Sequence, residues 1–385
     1  MSFRYKYTAV TSALASVSGG NVGIVGCPAY TPFLRVDILA NSAVVESINN
    51  YNTLATMLTN VGMSVADKLG QQFSLGYAGT TGDATMSNQN NTDGIILAST
   101  TTVVQTAQTY NNYISAPLIG CSLAYAEKLI PLDYVNWRIQ LTLDSLANIG
   151  SQLAADVGLA SYTITNFEIV YNQIQFPMSI NQQIKMSNPK IKIKTKSFGI
   201  GSQSIPSGSA GTLNLYYNLR YASVRSLFLV CAPTTNISAS RAMESVDITA
   251  DNGSYQFSIG GVVMPQNPLS TITNAAGIMN ELRRAMGSIY DKNNSMSIGA
   301  SEFIQNVGST TSIQIPGKHY VAINCQKLTE SQDYMFTGVS SANSQINVII
   351  SLGTATAAAA NGYLIVNYDA IFDIDTLTRQ MNYIQ

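Results

Sequence analysis

The sequence predicts a mostly β protein built from two tandem β-domains with few short helices. Short alternating or apolar segments recur along the 385 residues, as they do in β-sandwiches and barrels. Turn-forming residues separate these segments, for example at Thr81-Gly82-Asp83 and Asp251-Asn252-Gly253. Two stretches in the two halves of the chain also resemble each other, which is typical of a duplicated domain.

Residues 212–219 show the clearest strand pattern. Leu213, Leu215 and Tyr217 point to one face, and Thr212, Asn214 and Tyr216 point to the other, as in a half-buried strand. Residues 226–231 form a short apolar run, which is expected for a strand covered on both faces. Further strands are predicted at 33–40, 137–143, 167–176, 319–325, 345–352 and 363–372.

Apolar residues at steps of three and four predict three helices. The first covers 272–289, and the second covers 145–157 with Asp144 or Ser145 available as its N-cap. The third lies in the N-terminal arm and ends at Gly19-Gly20. Its apolar stripe consists of Phe3, Tyr7, Val10, Leu14 and Val17.

The internal similarity sets the predicted domain boundaries. The matching residues are Lys128-Leu129, Asp133-Tyr134, Ile139-Gln140-Leu141 and Ile169-Val170, against Lys327-Leu328, Asp333-Tyr334, Ile346-Asn347-Val348 and Ile365-Val366. The polar stretch 178–190, which ends in Asn188-Pro189, is the predicted seam. We therefore expect an N-terminal arm (1–20), a first β-domain (21–180), a second β-domain (181–375) and a C-terminal tail (376–385).

Composition limits the chemistry. Charged residues make up 11% of the chain, against about 25% in typical soluble proteins, and the formal net charge is -1. A global electrostatic attraction to nucleic acid or anionic membranes is therefore not expected. The single histidine excludes multi-histidine zinc sites. No catalytic set, cofactor site, metal site, signal peptide or transmembrane helix is predicted.

Two further features of the composition bear on folding and association. The four cysteines lie in apolar contexts and are predicted to be buried free thiols: Cys27, Cys121, Cys231 and Cys325. A surface rich in Ser, Thr, Asn and Gln suits close packing against copies of the same chain, because few charges would lose water.

Four segments resemble a known family. They are 22–40, 129–143 (LIPLDYVNWRIQLTL), 166–177 (NFEIVYNQIQFP) and 205–231. Together with the tandem β-domains and the nearly uncharged polar surface, they resemble the double jelly-roll major capsid proteins. This family builds the shells of adenovirus, tailless membrane-containing phages, virophages and large DNA viruses. The resemblance covers roughly 20–375 in texture and length and includes no catalytic motif.

The resemblance implies a fold, an assembly and a location. The fold would be two tandem eight-stranded jelly-roll β-sandwiches with few short helices. Three chains would form a pseudo-hexagonal capsomer, and capsomers would tile an icosahedral shell in the virion. Implied partners are sister chains, neighbouring capsomers tied by the terminal segments, and minor capsid or vertex proteins. No sequence-specific nucleic-acid binding is implied.

Two other functions remain open at the level of sequence. A β-sandwich binding protein, such as a spike, a vertex protein or a carbohydrate-binding surface module, would need an aromatic-lined groove, for which the 21 tyrosines offer material. A carboxylate-only glycosidase would need a suitably spaced acidic pair. No recognisable nucleophile and base pair supports an enzyme.

The N-terminal arm is the first candidate site. Arg4 and Lys6 lie beside the apolar stripe of Phe3, Tyr7, Val10 and Leu14. Such an amphipathic arm would dock under neighbouring capsomers, touch an inner membrane or pack on its own domain.

A basic strand face is the second candidate site. Lys190, Lys192, Lys194 and Lys196 alternate with Ile191, Ile193 and Thr195. This face would meet an acidic neighbour, nucleic acid or a lipid headgroup, or it would be a solvated face that protects a sheet edge. Asp369, Asp373 and Asp375 form an acidic cluster that would either offer oxygens to Ca²⁺ or be a solvated strand end.

Overall fold

A computed structural model defines the fold. It describes residues 1–11, 20–76, 94–100, 109–152, 159–234, 245–249, 253–287, 296–304, 317–327, 336–356 and 359–385. Within these residues, eighteen strands form five sheets, and seven α-helices lie between or against them.

The described residues of the first β-domain form nine strands in three small sheets. The strands are β1 (Ser2–Thr11), β2 (Gly20–Val25), β3 (Phe33–Ala40), β4 (Ala43–Asn49), β5 (Gly94–Thr100), β6 (Thr109–Pro117), β7 (Trp137–Leu143), β8 (Gly150–Gln152) and β9 (Leu159–Val170). Their orders are β6-β1-β9, β4-β3-β7 and β5-β2-β8. The predicted strands 33–40 and 137–143 are confirmed as β3 and β7.

Three helices follow β4, and the sequence patterns did not predict them. They are α1 (Tyr51–Gly62), α2 (Val65–Gly70) and α3 (Gln72–Leu75). Ten of the twelve residues of α1 are buried, and they include polar residues such as Asn52 and Asn60. A helix surrounded by protein on nearly all sides shows no one-sided apolar stripe. A reciprocal capping box between Ser64 and Asp67 starts α2.

Two predictions near the end of this β-domain are corrected. The helix predicted over 145–157 is only α4 (Leu146–Ile149), because the chain turns at Gly150 into β8, which pairs with β2. Residues 153–157 lie outside the described residues. The strand predicted over 167–176 is confirmed only as far as Val170, where β9 ends.

Residues 171–187, here called the connector, join the two β-domains. Residues 171–177 have no regular secondary structure, and α5 (Met178–Ser187) occupies most of the predicted seam. No residue of α5 is buried. Its end at Asn188 agrees with the conformational restriction that Pro189 imposes on the preceding residue.

The second β-domain is a two-sheet sandwich with two helices. Its elements are β10 (Lys190–Ile205), β11 (Thr212–Tyr217), β12 (Val224–Pro233), β13 (Ser254–Ile259), β14 (Val262–Ser270), α6 (Thr271–Met286), α7 (Ala300–Phe303), β15 (Tyr320–Asn324), β16 (Ile346–Ser351), β17 (Ala360–Asp375) and β18 (Met381–Ile384). The central sheet has the order β10-β17-β12-β15, with β18 also paired to β17. The outer sheet has the order β11-β16-β13-β14. The strands predicted here and the helix predicted at 272–289 are confirmed, with ends that differ by a few residues.

The central sheet is buried on both faces. Leu227, Leu229 and Cys231 of β12 pack in one hydrophobic core with residues of the outer sheet. Phe228 and Val230, which alternate with them, belong to a second core that includes the first β-domain. All ten residues of β12 are therefore buried. This confirms the prediction of a doubly covered strand at 226–231.

Specific contacts hold the first β-domain against the central sheet. The indole of Trp137 on β7 packs edge-on against Phe372 of β17, with ring centroids 5.2 Å apart. Asn60 of α1 donates a hydrogen bond to the Tyr320 hydroxyl of β15 at 3.0 Å. The contact between the two β-domains therefore combines aromatic packing with directional polar bonds.

The buried carboxylate of Asp369 links β17 to neighbouring segments. The carboxylate of Asp369 is fully buried and forms an ion pair with Arg225 of β12 at 3.1 Å. It also accepts hydrogen bonds from the Ser223 hydroxyl at 2.6 Å and from the Thr337 backbone N–H at 2.8 Å. Buried charge is tolerated only with such partners. This residue is therefore a structural group, not part of a solvated acidic strand end.

The C-terminal tail folds back onto its own sheet. β18 pairs with β17, and Ile384 lies opposite Ile371. Tyr383 packs on Phe372 with ring centroids 5.4 Å apart. The C-terminal segment is therefore paired within its own chain along one side of β18, and its role in tying neighbouring capsomers stays a prediction.

We predict that Phe372→Ala destabilises the contact between the β-domains. Phe372 is fully buried, so its truncation should lower the free energy of unfolding by about 3–5 kcal/mol. Trp137 is the only tryptophan, so its fluorescence emission should shift to the red as it loses its ring partner. Urea unfolding followed by fluorescence and circular dichroism measures both effects. Phe73→Ala, at a phenylalanine that is 76% exposed, is the control. Equal stability of the two variants would contradict the prediction.

Candidate functional site

The N-terminal residues form a central strand of the first β-domain, so the predicted helical arm is wrong. β1 pairs with both β6 and β9. Phe3, Tyr5, Tyr7 and Ala9 all point into the core and are at most 2% exposed. Phe3 packs 5.5 Å from Phe167 and 6.0 Å from Phe33, measured between ring centroids. The sequence contained this alternation of period two, but the helical spacing of Phe3, Tyr7 and Val10 obscured it.

This placement decides what the predicted arm residues can contact. Phe3 and Tyr7 cannot insert into a membrane or under a neighbouring capsomer, because they lie in the core. Val10 is half-buried on the same strand, and Leu14 lies outside the described residues.

Arg4 and Lys6 lie on the opposite face of β1. The Lys6 ammonium lies 6.0 Å from the centre of the Tyr113 ring, and Glu168 stands opposite Arg4 in the strand register. Together they line a shallow cavity of about 320 Å³. Because an acidic residue accompanies the two basic ones, this face is mixed in charge.

The basic strand face meets an acidic neighbour within the same chain. In the register of β10 and β17, Lys190 lies opposite Asp375 and Lys192 opposite Asp373. The pKa of Asp375 lies below its usual value, mainly because the backbone N–H groups of Thr378 and Leu377 donate to it, with a smaller contribution from Lys190. The predicted lysine and aspartate clusters are thus two sides of one strand pair.

The other two lysines of this face lie at the contact between the β-domains. Lys194 is 7% exposed, and its ammonium lies 3.7 Å from the Glu127 carboxylate. The Lys196 ammonium lies 4.9 Å from the centre of the Tyr125 ring. The segment that carries Tyr125 and Glu127 therefore covers this end of β10. Lys190 and Lys192 remain exposed at the sheet edge, where lysine discourages pairing with other strands.

A buried carboxyl group, which the sequence did not reveal, lies at the same contact. Glu46 of β4 is 4% exposed, and its Oε2 accepts hydrogen bonds from the Ser122 backbone N–H at 3.0 Å and hydroxyl at 2.5 Å. The Ser122 carbonyl in turn accepts a bond from the Thr195 hydroxyl of β10 at 2.5 Å. Burial raises the pKa of Glu46 to about 7, although the bonds from Ser122 oppose this shift.

We predict that Glu46 makes stability depend on pH near neutrality. Its folded pKa of about 7 lies above the ordinary value of 4.5, so the stability it contributes is complete below about pH 4.5 and is lost as pH rises through 7. The difference corresponds to about 3 kcal/mol. Glu46→Gln should therefore be more stable than the parent at pH 8 and similar at pH 5.

Urea unfolding at the two pH values tests this prediction. Glu168→Gln, at an exposed glutamate on β9, is the matched control and should keep the parent's pH dependence. If Glu46→Gln kept the same pH dependence as the parent, Glu46 would not be its source.

The cysteines and the single histidine are buried inside the protein. All four cysteines are free and buried, which confirms that prediction, and burial raises the pKa of Cys325 to about 12. His319 is 2% exposed, its Nδ1 lies 2.9 Å from the Phe303 carbonyl oxygen, and burial lowers its pKa.

Among the residues the structure describes, no group of His, Cys, Asp and Glu side chains could hold a metal ion. No helix in this described part is long and apolar enough to span a bilayer.

Comparison with known proteins identifies the fold. No family model and no curated protein sequence matches the chain. Solved structures do match over almost its full length. A Sputnik virophage chain aligns with a TM-score of 0.57 at 12% identity, over 99% of this chain and 81% of that one. The Faustovirus major capsid protein aligns with a TM-score of 0.57 at 11% identity, over 96% and 84%.

A third structure agrees. The mavirus major capsid protein aligns with a TM-score of 0.51 at 14% identity, over 99% of this chain and 83% of that one. The chain has the double jelly-roll fold of viral major capsid proteins. The two β-domains are the two jelly rolls, and each contains nine strands in the described residues when the short β8 and β18 are counted. In this double jelly roll, the central sheet of the second roll is also the surface on which the first roll rests.

Proposed function

We propose that this chain is a viral major capsid protein. The observation that supports this function best is the match of both jelly rolls, over 96–99% of the chain, to the Faustovirus and mavirus major capsid proteins. In this proposal the chain forms a homotrimer, and its six jelly rolls form a pseudo-hexagonal capsomer. Capsomers then tile an icosahedral shell in the virion. The protein acts as a structural subunit, and no catalytic role is proposed for it.

The contact between the jelly rolls supports this proposal. A capsomer with six equivalent positions requires the two rolls of each chain to stay at one fixed angle. Here they share a buried aromatic and polar contact that includes Trp137, Phe372, Asn60 and Tyr320. A flexible tether between independent domains would not maintain that geometry.

The charge distribution also supports self-association. With 11% charged residues, two copies can approach without removing many charges from water. Neighbouring capsomers and minor capsid or vertex proteins are the expected further partners. Nucleic acid is not an expected sequence-specific partner, because Lys194 and Lys196 lie at the contact between the rolls and only Lys190 and Lys192 of that face are exposed.

One observation favours the alternative function of a β-sandwich binding protein. A cavity of about 570 Å³, lined mostly by residues of the first roll and by Arg379, contains the aromatic residues Tyr134, Trp137 and Tyr171 together with polar Asn41 and Asp133. Aromatic faces beside polar groups are suited to a carbohydrate. Saturable quenching of Trp137 fluorescence by an oligosaccharide would favour this alternative.

We predict that the purified protein is a trimer. Light scattering at micromolar concentration should give a mass of about 124 kDa, three times the chain mass of 41.2 kDa, as expected for a closed ring with obligate interfaces. The mass should persist when the salt concentration is raised, because few ion pairs are available to be screened. A species of 41.2 kDa at all salt concentrations would contradict the proposed function.

A further inference from the structure

The connector exposes an unusual amount of apolar surface. Its exposed large apolar side chains are Tyr171, Ile174, Phe176, Met178, Ile180 and Met186. The exposed fraction is 59% for Ile174, 79% for Met178 and 86% for Met186. Residues 171–184 include no charged side chain. Apolar patches of this extent on a folded chain are typical of interaction surfaces.

The first part of the connector has a strand-type sequence without a strand partner. Residues 167–176 were predicted as one strand, yet β9 ends at Val170. The described residues form no backbone hydrogen bond with residues 172–176. Unpaired N–H and C=O groups beside apolar side chains are a template for the addition of another strand.

An open cavity adjoins this segment. Tyr171 lines the 570 Å³ cavity together with Leu132, Trp137 and Ile169. Asn181 of α5 donates a hydrogen bond to Asp133, another lining residue, at 3.3 Å. The unpaired segment, the exposed helix and the cavity are therefore parts of one continuous surface, here called the connector surface.

We infer that the connector surface binds the same surface of a second copy, with residues 171–177 of the two chains paired antiparallel about a two-fold axis. An antiparallel pair of identical segments has this symmetry, and a two-fold contact uses one patch on both partners. Pro177 has no N–H to donate, which ends the pairing segment and places its centre near Ile174. The inference rests on the proposed function: three-fold contacts build the capsomer, and this two-fold contact joins a capsomer to a neighbour of opposite orientation.

The size and charge of the surface favour a second copy over other partners. The six exposed apolar side chains offer on the order of 700 Å², close to the roughly 800 Å² that each partner contributes to a standard interface. A helix that binds membrane surfaces needs basic residues on its polar face, and α5 has only Lys185. A second copy brings a surface that is equally poor in charge, so few charged side chains such as Lys185 and Asp133 would lose water.

A cysteine at the predicted axis tests the inference directly. In the antiparallel pair, residue 174 of one copy lies opposite residue 174 of the other. Ile174→Cys chains should therefore be cross-linked by a short bis-maleimide, whereas the four native cysteines are buried and unreactive. Phe73→Cys, at an exposed phenylalanine on α3, is the matched control. The contact should make cross-linking roughly 10²-fold faster for Ile174→Cys, because it raises the effective concentration of the thiols.

Light scattering of uncross-linked variants separates this inference from the proposed function. Ile174→Asp should leave trimers intact and abolish the species larger than a trimer that the parent forms at higher protein concentration, whereas Phe73→Asp should assemble like the parent. Equal cross-linking of Ile174→Cys and Phe73→Cys in a trimeric protein would overturn the inference alone. Conversion of Ile174→Asp to monomers would also overturn it, because the connector would then belong to the trimer contact. A monomeric parent together with an Ile174→Cys variant that is not cross-linked would overturn both. Ile174-dependent binding to neutral phosphatidylcholine vesicles without cross-linking would assign the surface to a membrane.

Discussion

The burial of the central sheet on both faces is the constraint on which the rest of the structure depends. A sheet with one wet face alternates apolar and polar residues, but β12 is buried at all ten positions. Its alternate residues differ in the core they join: Phe228 packs toward the first roll and Leu229 toward the outer sheet. A charged group that enters this sheet needs its partners inside the protein. Asp369 does so with Arg225, Ser223 and Thr337.

Hydrogen bonds between polar groups at the contact fix the orientation of one roll relative to the other. Apolar burial supplies most of the favourable free energy, but it is non-directional and would tolerate small rotations of one roll on the other. Hydrogen bonds would be broken by such rotations, because they require particular distances and angles. Asn60 and Tyr320 meet at one end of the contact, and Glu46, Ser122 and Thr195 form a chain at another. Glu46 is costly to ionise in this position, so the precision of the contact is gained at some expense of stability near neutral pH.

The sequence predicted those elements whose pattern is local. Strands such as β7 and β16 and the amphipathic helix α6 follow from periodicity alone, because one face is more buried than the other. α1 was missed because it is buried on nearly all sides and includes Asn52 and Asn60. β1 was mistaken for a helix because Phe3, Tyr7 and Val10 also fit helical steps, and only pairing with β6 and β9 decides between the two periods.

The functional residues depended on contacts that no local pattern contains. The lysines of β10 were correctly placed on a strand, but their role is set by β17 and by the segment around Tyr125, which are distant in sequence. Glu46 looks like any surface glutamate of an alternating strand until Ser122 and Thr195 are brought against it. Sequence texture therefore indicated the double jelly roll, whereas the polar contacts between its rolls emerged only in three dimensions.

At the connector, local preference and the fold of the single chain disagree, and the apolar side chains concerned stay exposed. Residues 167–176 favour a strand throughout, and the first roll uses only the part up to Val170. Local and global preferences generally agree in sequences selected to fold to one structure. Such disagreements are expected at functional sites, where the missing partner comes from outside the chain. A chain with few charges and two firmly packed rolls has little reason to leave Ile174, Phe176 and Met178 in water. Their exposure is accounted for when the folded unit is an assembly of copies and not the isolated chain.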